Sequence, residues 1–494
     1  MKPQVFDPAS IPLSVSTDSY KQSHFEQYPE ARFMSAYTEA RGPLRAGDDR
    51  IVTYGARYFV ERWLMRQWTL DDVAAAGDLF CDFNAGGTHH PFPKDLFIKF
   101  IEENNGYFPI RVRALPDGTA CYYHTPQMIF EAEGEYSRLV TWLESVALQS
   151  VWYMSTVATI SRSVVTEIGE AFEKSVDPDA FWKLSSRFHD FGLRGCTSTE
   201  QAIMGGTAHL LSSDGTDNCP AAYYAKRLNN GKAVGSSIPA TEHSVMTAYV
   251  DEADAVRMMV DNYGNGVFAT VADSYDYQNF LDNIVPLVAK TVQEKGGFHV
   301  VRPDSGDPVG CVVNGLIALE KAYGADTNGK GYRVIRNAGI IQGDGINPTN
   351  ITQILEAVMD AGFSAENVAF GMGGGLLQKV NRDTLKYATK LSYRVDSDGI
   401  AHDVMKDPKT DPSKRSLPGE IDVISVDGVP TAVPKDPSNV SLMITLWDSG
   451  LPDDLDFESF DAVRSRLDES WESLPERGIG ISSELRAKQD LLSR

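Results

Sequence analysis

Several stretches of the chain place glycine, aspartate, arginine or histidine immediately after a short apolar run. The first is Phe370-Gly-Met-Gly-Gly-Gly375, followed by Leu-Leu-Gln-Lys-Val. A glycine turn entering a helix lets backbone N–H groups approach an anion, so this loop could cradle a phosphate; it could equally be a tight turn. Arg302-Pro-Asp-Ser-Gly306 sets a guanidinium two residues from the carboxylate of Asp304. That pair suits a ligand carrying phosphate and hydroxyls, or it closes on itself as a salt bridge that fixes the loop. Gln342-Gly-Asp-Gly345 offers Asp344 to ribose hydroxyls or magnesium, unless it is a turn or helix-capping aspartate.

His189-Asp-Phe-Gly-Leu-Arg-Gly195 combines an aromatic ring, a cation and two glycines. Phe191 could stack on a flat ring at little cost in entropy, or it is core. Asp217, in Gly215-Thr-Asp217, could accept from an amide NH₂ or close an Asx turn. His243, in Pro239-Ala-Thr-Glu-His-Ser244, could be catalytic with Asp273 as its orienting carboxylate, or a structural histidine. His89-His90 has no Cys, Asp or Glu at ligand spacing, which makes it a poor metal site.

The elements that must position these groups have α/β character. Apolar runs at 267–272, 298–301, 339–341 and 368–370 each end in a polar or glycine-bearing loop. Amphipathic stretches follow at 277–293, 309–323, 350–361 and 376–379. Chemistry just beyond the C-terminal ends of parallel strands is the arrangement of barrels and open α/β sheets. The pattern predicts an α/β fold, with an irregular α/β barrel over 180–390. Residues 1–179 are expected to form a second, mixed α+β lobe, with strands at 33–38 and 110–113 and a turn at 115–119. A helix at 141–160, followed by another to about 174, closes that lobe. The region 391–494 reads as loops to about 435 and then a helix near 457–473, returning to the N-terminal lobe.

Composition narrows the partners. A chain of 494 residues calls for two or more lobes. The net charge of −22 argues against nucleic acid and anionic lipid as partners. Five scattered cysteines without a Cys-x-x-Cys pair favour a reducing compartment over a disulfide framework. Neither an apolar run of membrane length nor a signal-like segment in MKPQVFDPASIP is present, so a cytoplasmic protein is expected. Against this acidic background Arg41, Arg382, Lys390 and Lys406 are sparse, as are Lys21, Lys414 and Arg415. Holding a polyanion would require something to gather them.

Taken together, the segments resemble the nicotinamide phosphoribosyltransferase family. The matching strings are DSYKQSHFEQYP (18–29), HDFGLRG (189–195), GTD (215–217), EHS (242–244), DSYD (273–276) and RPDSG (302–306). They continue with IQGDG (341–345), AFGMGGGLLQK (369–379), RD (382–383) and KDPKTDPSKRS (406–416), in order. The resemblance implies a type II phosphoribosyltransferase fold and a homodimer with active sites shared between subunits. It implies that Phe191 and, from the other subunit, Tyr20 clamp a pyridine ring. Asp217 would accept from the carboxamide NH₂, Arg302 would serve its carbonyl side, and Arg194 would lie near ring and phosphate. Asp304, Gly343 and Asp344 would hold the ribose region, and the N–H groups of Gly373 and Gly374 the 5-phosphate. Arg41, Arg382, Lys390 and Lys406 would reach the pyrophosphate across the dimer interface. His243 would be phosphorylated by ATP with Asp273 as partner, and magnesium would accompany the substrate. Leu193, Met372 and Thr241 depart from the family pattern, and Leu193 bears on the ring pocket.

The chemistry so implied joins nicotinamide to phosphoribosyl pyrophosphate with loss of pyrophosphate. The ring nitrogen already carries a lone pair, so no general base is assigned. Nicotinate phosphoribosyltransferase is the nearest rival, and Asp217 separates them, because a carboxylate repels a carboxylate substrate. A phosphosugar isomerase or aldolase barrel would explain the glycine loop and RPDSG but leave Tyr20, Asp217 and the cations idle.

Overall fold

The computed structural model describes residues 10–411 and 414–493. The first nine residues, within the stretch read for a signal, and two residues of the 406–416 string lie outside the described residues. The chain divides into two compact units: one comprises 1–156, 381–458 and 462–494, the other 157–380 and 459–461.

In the second unit six parallel strands form one sheet. Its order is Gly215–Thr216, Phe188–Asp190, Val368–Met372, Ala338–Gln342, Phe298–Arg302 and Val267–Val271. The extended segment 236–241 joins its two edges. Ser236 bridges Gly215 in parallel, and Ala240 bridges Ala269. Thr216 N–H donates to Ser236 O at 3.0 Å, and Ala269 N–H donates to Pro239 O at 2.9 Å. Pro239 has no N–H to give, so this last staff of the barrel carries single bridges instead of a full ladder. The sheet is therefore closed but irregular, as the sequence pattern leads one to expect.

The helices between these strands start where their sequences dictate. Asp307-Pro308 and Asn347-Pro348 each supply a capping side chain followed by proline at the first helical position. The resulting helices are Pro308–Tyr323 and Pro348–Asp360. The stretch from 277 is helical to 295, passing through a π turn at Phe280–Ile284. Most boundaries lie within one or two residues of the sequence reading; at the glycine loop the strand runs on to Met372, and the helix after it begins at Gly374 instead of 376. The glycine loop is thus absorbed into a strand end and a helix start.

The first unit is built on a six-stranded antiparallel sheet. Phe33–Glu39 sits between Ala388–Val395 and Met128–Glu133, with Arg111–Ala114 and then Ile444–Asp448 beyond. Trp68 lies 5.0–5.4 Å from the rings of Phe97, Phe100, Phe108 and Trp142, all buried. The turn at 115–119 is present, with Gly118 at φ +87, but it joins strands of different sheets: Ala120–Tyr122 pairs with Arg50–Val52. The two helices expected between 141 and 174 are one, Glu144–Ser175. No helix among the described residues is long and apolar enough to cross a membrane.

Candidate active site

At the C-terminal ends of the barrel strands lies a cavity of about 640 Å³. Phe191, Arg194, Asp217, His243, Arg302, Asp304, Gly343, Asp344, Gly373 and Gly374 all line it, so ten of the expected residues converge. A second, more apolar cavity of about 350 Å³ inside the barrel shares Phe191, Asp217 and Arg302 with the first.

Each loop holds its residue for a local reason. The Phe191 ring rests on the strand backbone at Gly371, where an added Cβ would lie 2.0 Å from it; at Gly343 a Cβ would lie 3.3 Å away. Two glycines therefore make room for one aromatic ring. Gly373, Gly374 and Gly375 lead into the short helix Gly374–Leu377, whose first-turn amides have no intrahelical acceptor and can meet an anion. Gly306, at φ +90, turns the chain after Asp304 and Ser305.

The charged groups engage one another loosely. His243 Nε2 lies 3.0 Å from Asp273 Oδ1, and Nδ1 is 3.9 Å from Asp304 Oδ2. Asp273 is nearly buried and also accepts from the Ser305 hydroxyl, while the His243 side chain is 45% exposed. The buried staple one expects of a structural histidine is not this. Arg302 stands 4.0 Å from Asp304 and donates to Thr241 O at 3.4 Å, while its buried Nε has no partner. The arginine is thus not consumed by a closed salt bridge within its own loop. Asp344 is exposed and does not cap the next helix, a role taken by Asn347. Asp217 accepts from Ser237 Oγ at 2.6 Å.

The cavity also contains residues that sequence spacing does not single out. Asp190, Glu242, Ser244 and Lys379 line it. Asp190 stands inside the HDFGLRG string, at a strand end, which is the one signal that could have marked it. The remaining expected residues belong to the first unit. Tyr20 is 56% exposed on the short helix Ser19–Gln22 and meets His24 edge-on at 5.0 Å. Burial pushes the Lys390 ammonium down; Glu144 opposes this, and the nearby cations Arg41 and Lys406 push it further down. Arg41 and Lys406 are thus both close enough to act on Lys390, while exposed Arg382 faces Asp383 at 3.7 Å. No group of three or more His, Cys, Asp or Glu able to hold a metal ion occurs among the described residues.

An α/β barrel whose strand-end loops gather an aromatic ring, glycines, cations and carboxylates in one cavity has the layout of a barrel enzyme. The chain matches the nicotinate phosphoribosyltransferase family over residues 186–435 and the N-terminal domain of nicotinamide phosphoribosyltransferase over 12–112. A nicotinamide phosphoribosyltransferase of Xanthomonas campestris is 38% identical over 83% of this chain and 87% of its own length. One from Acinetobacter baylyi is 28% identical over 92% and 97%. Among solved structures, nicotinate-nucleotide pyrophosphorylase from Pyrococcus furiosus has the same fold, with a TM-score of 0.63 at 14% identity over 96% and 98% of the two chains. The protein belongs to the nicotinate phosphoribosyltransferase family and is a pentosyltransferase.

Proposed function

We propose that the enzyme transfers the phosphoribosyl group of phosphoribosyl pyrophosphate to nicotinamide, releasing pyrophosphate and forming nicotinamide mononucleotide for NAD salvage. The observation that carries this reading is Asp217, a carboxylate on the wall of the same cavity as Phe191. Its Oδ1 is engaged by Ser237, so Oδ2 is left to accept from a carboxamide NH₂, whereas a nicotinate carboxylate would meet like charge. Both relatives named above are nicotinamide phosphoribosyltransferases, which supports the amide over the acid.

In this reading the ring nitrogen attacks C1 of the ribose as the C1–O bond to pyrophosphate breaks, through an oxocarbenium-like state. Phe191 orients the ring, Arg302 polarises the carboxamide, and Arg194 lies near ring and phosphate. Asp304, Gly343 and Asp344 hold the ribose, and the amides at Gly373 and Gly374 fix the 5-phosphate. Catalysis is then positioning plus electrostatics. Magnesium would accompany the diphosphate and neutralise part of its charge. Arg41, Arg382, Lys390 and Lys406, with Tyr20, complete the pocket of a second copy in a homodimer.

His243 carries the coupling to ATP. With Nε2–H donated to Asp273, the Nδ1 lone pair faces the cavity. Nδ1 attacks the γ-phosphorus, an N–P bond forms, and the bond to the β-phosphate oxygen breaks with ADP departing. The test is product formation from phosphoribosyl pyrophosphate and magnesium, with nicotinamide or nicotinate, with and without ATP. Nicotinamide mononucleotide is the expected product, stimulated by ATP in the wild type and not in His243→Ala, which keeps a slow basal rate. Nicotinate preference overturns the amide assignment, and full ATP stimulation of His243→Ala overturns the role of the histidine.

A further inference from the structure

Asp190 is a fully buried carboxylate at the end of the strand Phe188–Asp190. Its Oδ1 accepts from Gly192 N–H at 2.7 Å, on the loop that carries Phe191. Its Oδ2 accepts from Asn218 Nδ2–H at 2.9 Å, next to Asp217. Its own carbonyl accepts from Asp217 N–H at 3.0 Å. Asn218 in turn caps the helix Cys219–Leu228 and donates to Ala202 O. The surroundings are close-packed: a Cβ on Gly206 would lie 2.9 Å from Asp190 Oδ2, and one on Gly192 would lie 3.1 Å from Oδ1. The carboxylate is thus clasped by two donors, one from the loop that carries Phe191 and one from the loop that carries Asp217.

We propose that Asp190 is a positioning residue of the pyridine pocket: its carboxylate ties the Phe191 loop to the Asp217 loop, setting the distance between ring slot and amide acceptor. The proposal rests on the nicotinamide reading given above. Both partners of Asp190 are donors, and the ionised carboxylate accepts from both at full strength. A proton on either oxygen leaves a hydroxyl there that accepts more weakly, which loosens one loop. Burial pushes the Asp190 carboxyl up to about 6; the Gly192 and Asn218 hydrogen bonds oppose this and the Asp217 charge adds to it. Asp217 is the charged group that acts on it; helix Thr199–His209 presents Gly206, and helix Cys219–Leu228 presents Ala221 beside the Asn218 cap. The clasp is therefore expected to loosen as pH falls.

The test measures the KM of nicotinamide at saturating phosphoribosyl pyrophosphate, and the reverse, from pH 5.5 to 8, in wild type and Asp190→Asn. Asparagine keeps one acceptor and turns the other into a donor. The expected result at pH 7.5 is a nicotinamide KM raised about tenfold or more, the value of one lost hydrogen bond to a charged group, with the phosphoribosyl pyrophosphate KM within about twofold. The wild-type nicotinamide KM rises about threefold or more between pH 7.5 and 5.5, and that rise is absent in the variant. Parallel increases in both KM values, or a nicotinamide KM flat with pH in the wild type, overturn the proposal. If Asp190→Asn does not fold, Asn218→Ala, which removes one of the two donors, replaces it with the same expected split between the two KM values. Turnover of nicotinate instead of nicotinamide would overturn the substrate reading, and the same KM series run with nicotinate would still report on the clasp.

Discussion

The two ends of the barrel treat charge in opposite ways. At the end where the strands begin, strong polar groups are used up by one another. Lys183 pairs with buried Glu366; Arg187 donates to Glu366 O at 3.0 Å and Lys183 O at 3.2 Å. The Asn367 side chain accepts from Ile335 N–H and donates to the carbonyls of Arg333 and Ser364. At the end where the strands finish, Asp304 faces His243 at 3.9 Å and Arg302 at 4.0 Å, and the buried Nε of Arg302 has no partner. The difference teaches where function resides: a charge already satisfied steadies the fold, and a charge held in place but not consumed awaits a ligand.

The largest test of that contrast is Arg302→Ala. With this cavity-lining cation removed, kcat/KM is expected to fall about a thousandfold, roughly 4 kcal/mol of binding to the reacting complex, while Tm moves by only about 3 °C. A large fall in Tm with near-normal kcat/KM would place Arg302 among the structural charges. Glu366→Ala should show the reverse. Unpairing Lys183, which is itself 30% exposed, is expected to cost about 1–3 kcal/mol of stability, read by denaturant unfolding, with kcat/KM within about threefold. Loss of activity without loss of stability would erase the distinction between the two ends.

A smaller effect sharpens the picture of the barrel wall. His299 is fully buried, stacked on Phe268 at 4.9 Å and bonded to Thr270 Oγ1 and the Tyr323 hydroxyl. Burial pushes its imidazole down to about 3. An unfolded histidine binds its proton near pH 6.5, so between 6.5 and 3 the unfolded chain holds a proton that the folded one refuses. This contribution is complete above pH 6.5 and is lost as pH falls, by about 2 kcal/mol at pH 5. Asp190, raised instead of depressed, works in the opposite direction, so the informative quantity is the gap between wild type and His299→Gln. That gap in stability is expected to narrow from pH 7 to pH 5; a constant gap would show that His299 is not held neutral.

Part of the site was legible because several of its groups follow short apolar runs that end in polar or glycine-bearing loops. Arg302, Asp304, Asp344 and the glycines at 373–375 were found in this way, and strand ends are where barrels do chemistry. Closure of the sheet was less legible, since the segment 236–241 contains Pro239 and has no apolar run of its own. The single helix Glu144–Ser175 was read as two because apolar periodicity marks faces, not continuity. Asp190 and Ser237 escaped notice for a deeper reason. Their importance lies in which atoms they touch across 15 to 30 residues of chain, and spacing carries no record of such contacts.

If Asp217 selects a carboxamide over a carboxylate, the ratio of kcat/KM for nicotinamide to that for nicotinate, in wild type and Asp217→Ser, reads that selection directly. The account predicts strong preference for nicotinamide in the wild type. In the variant, the ratio should fall by about a hundredfold as the like charge is removed and nicotinate gains access. An unchanged ratio would contradict the account, leaving the barrel and its phosphate loop in place but moving substrate selection elsewhere in the pocket.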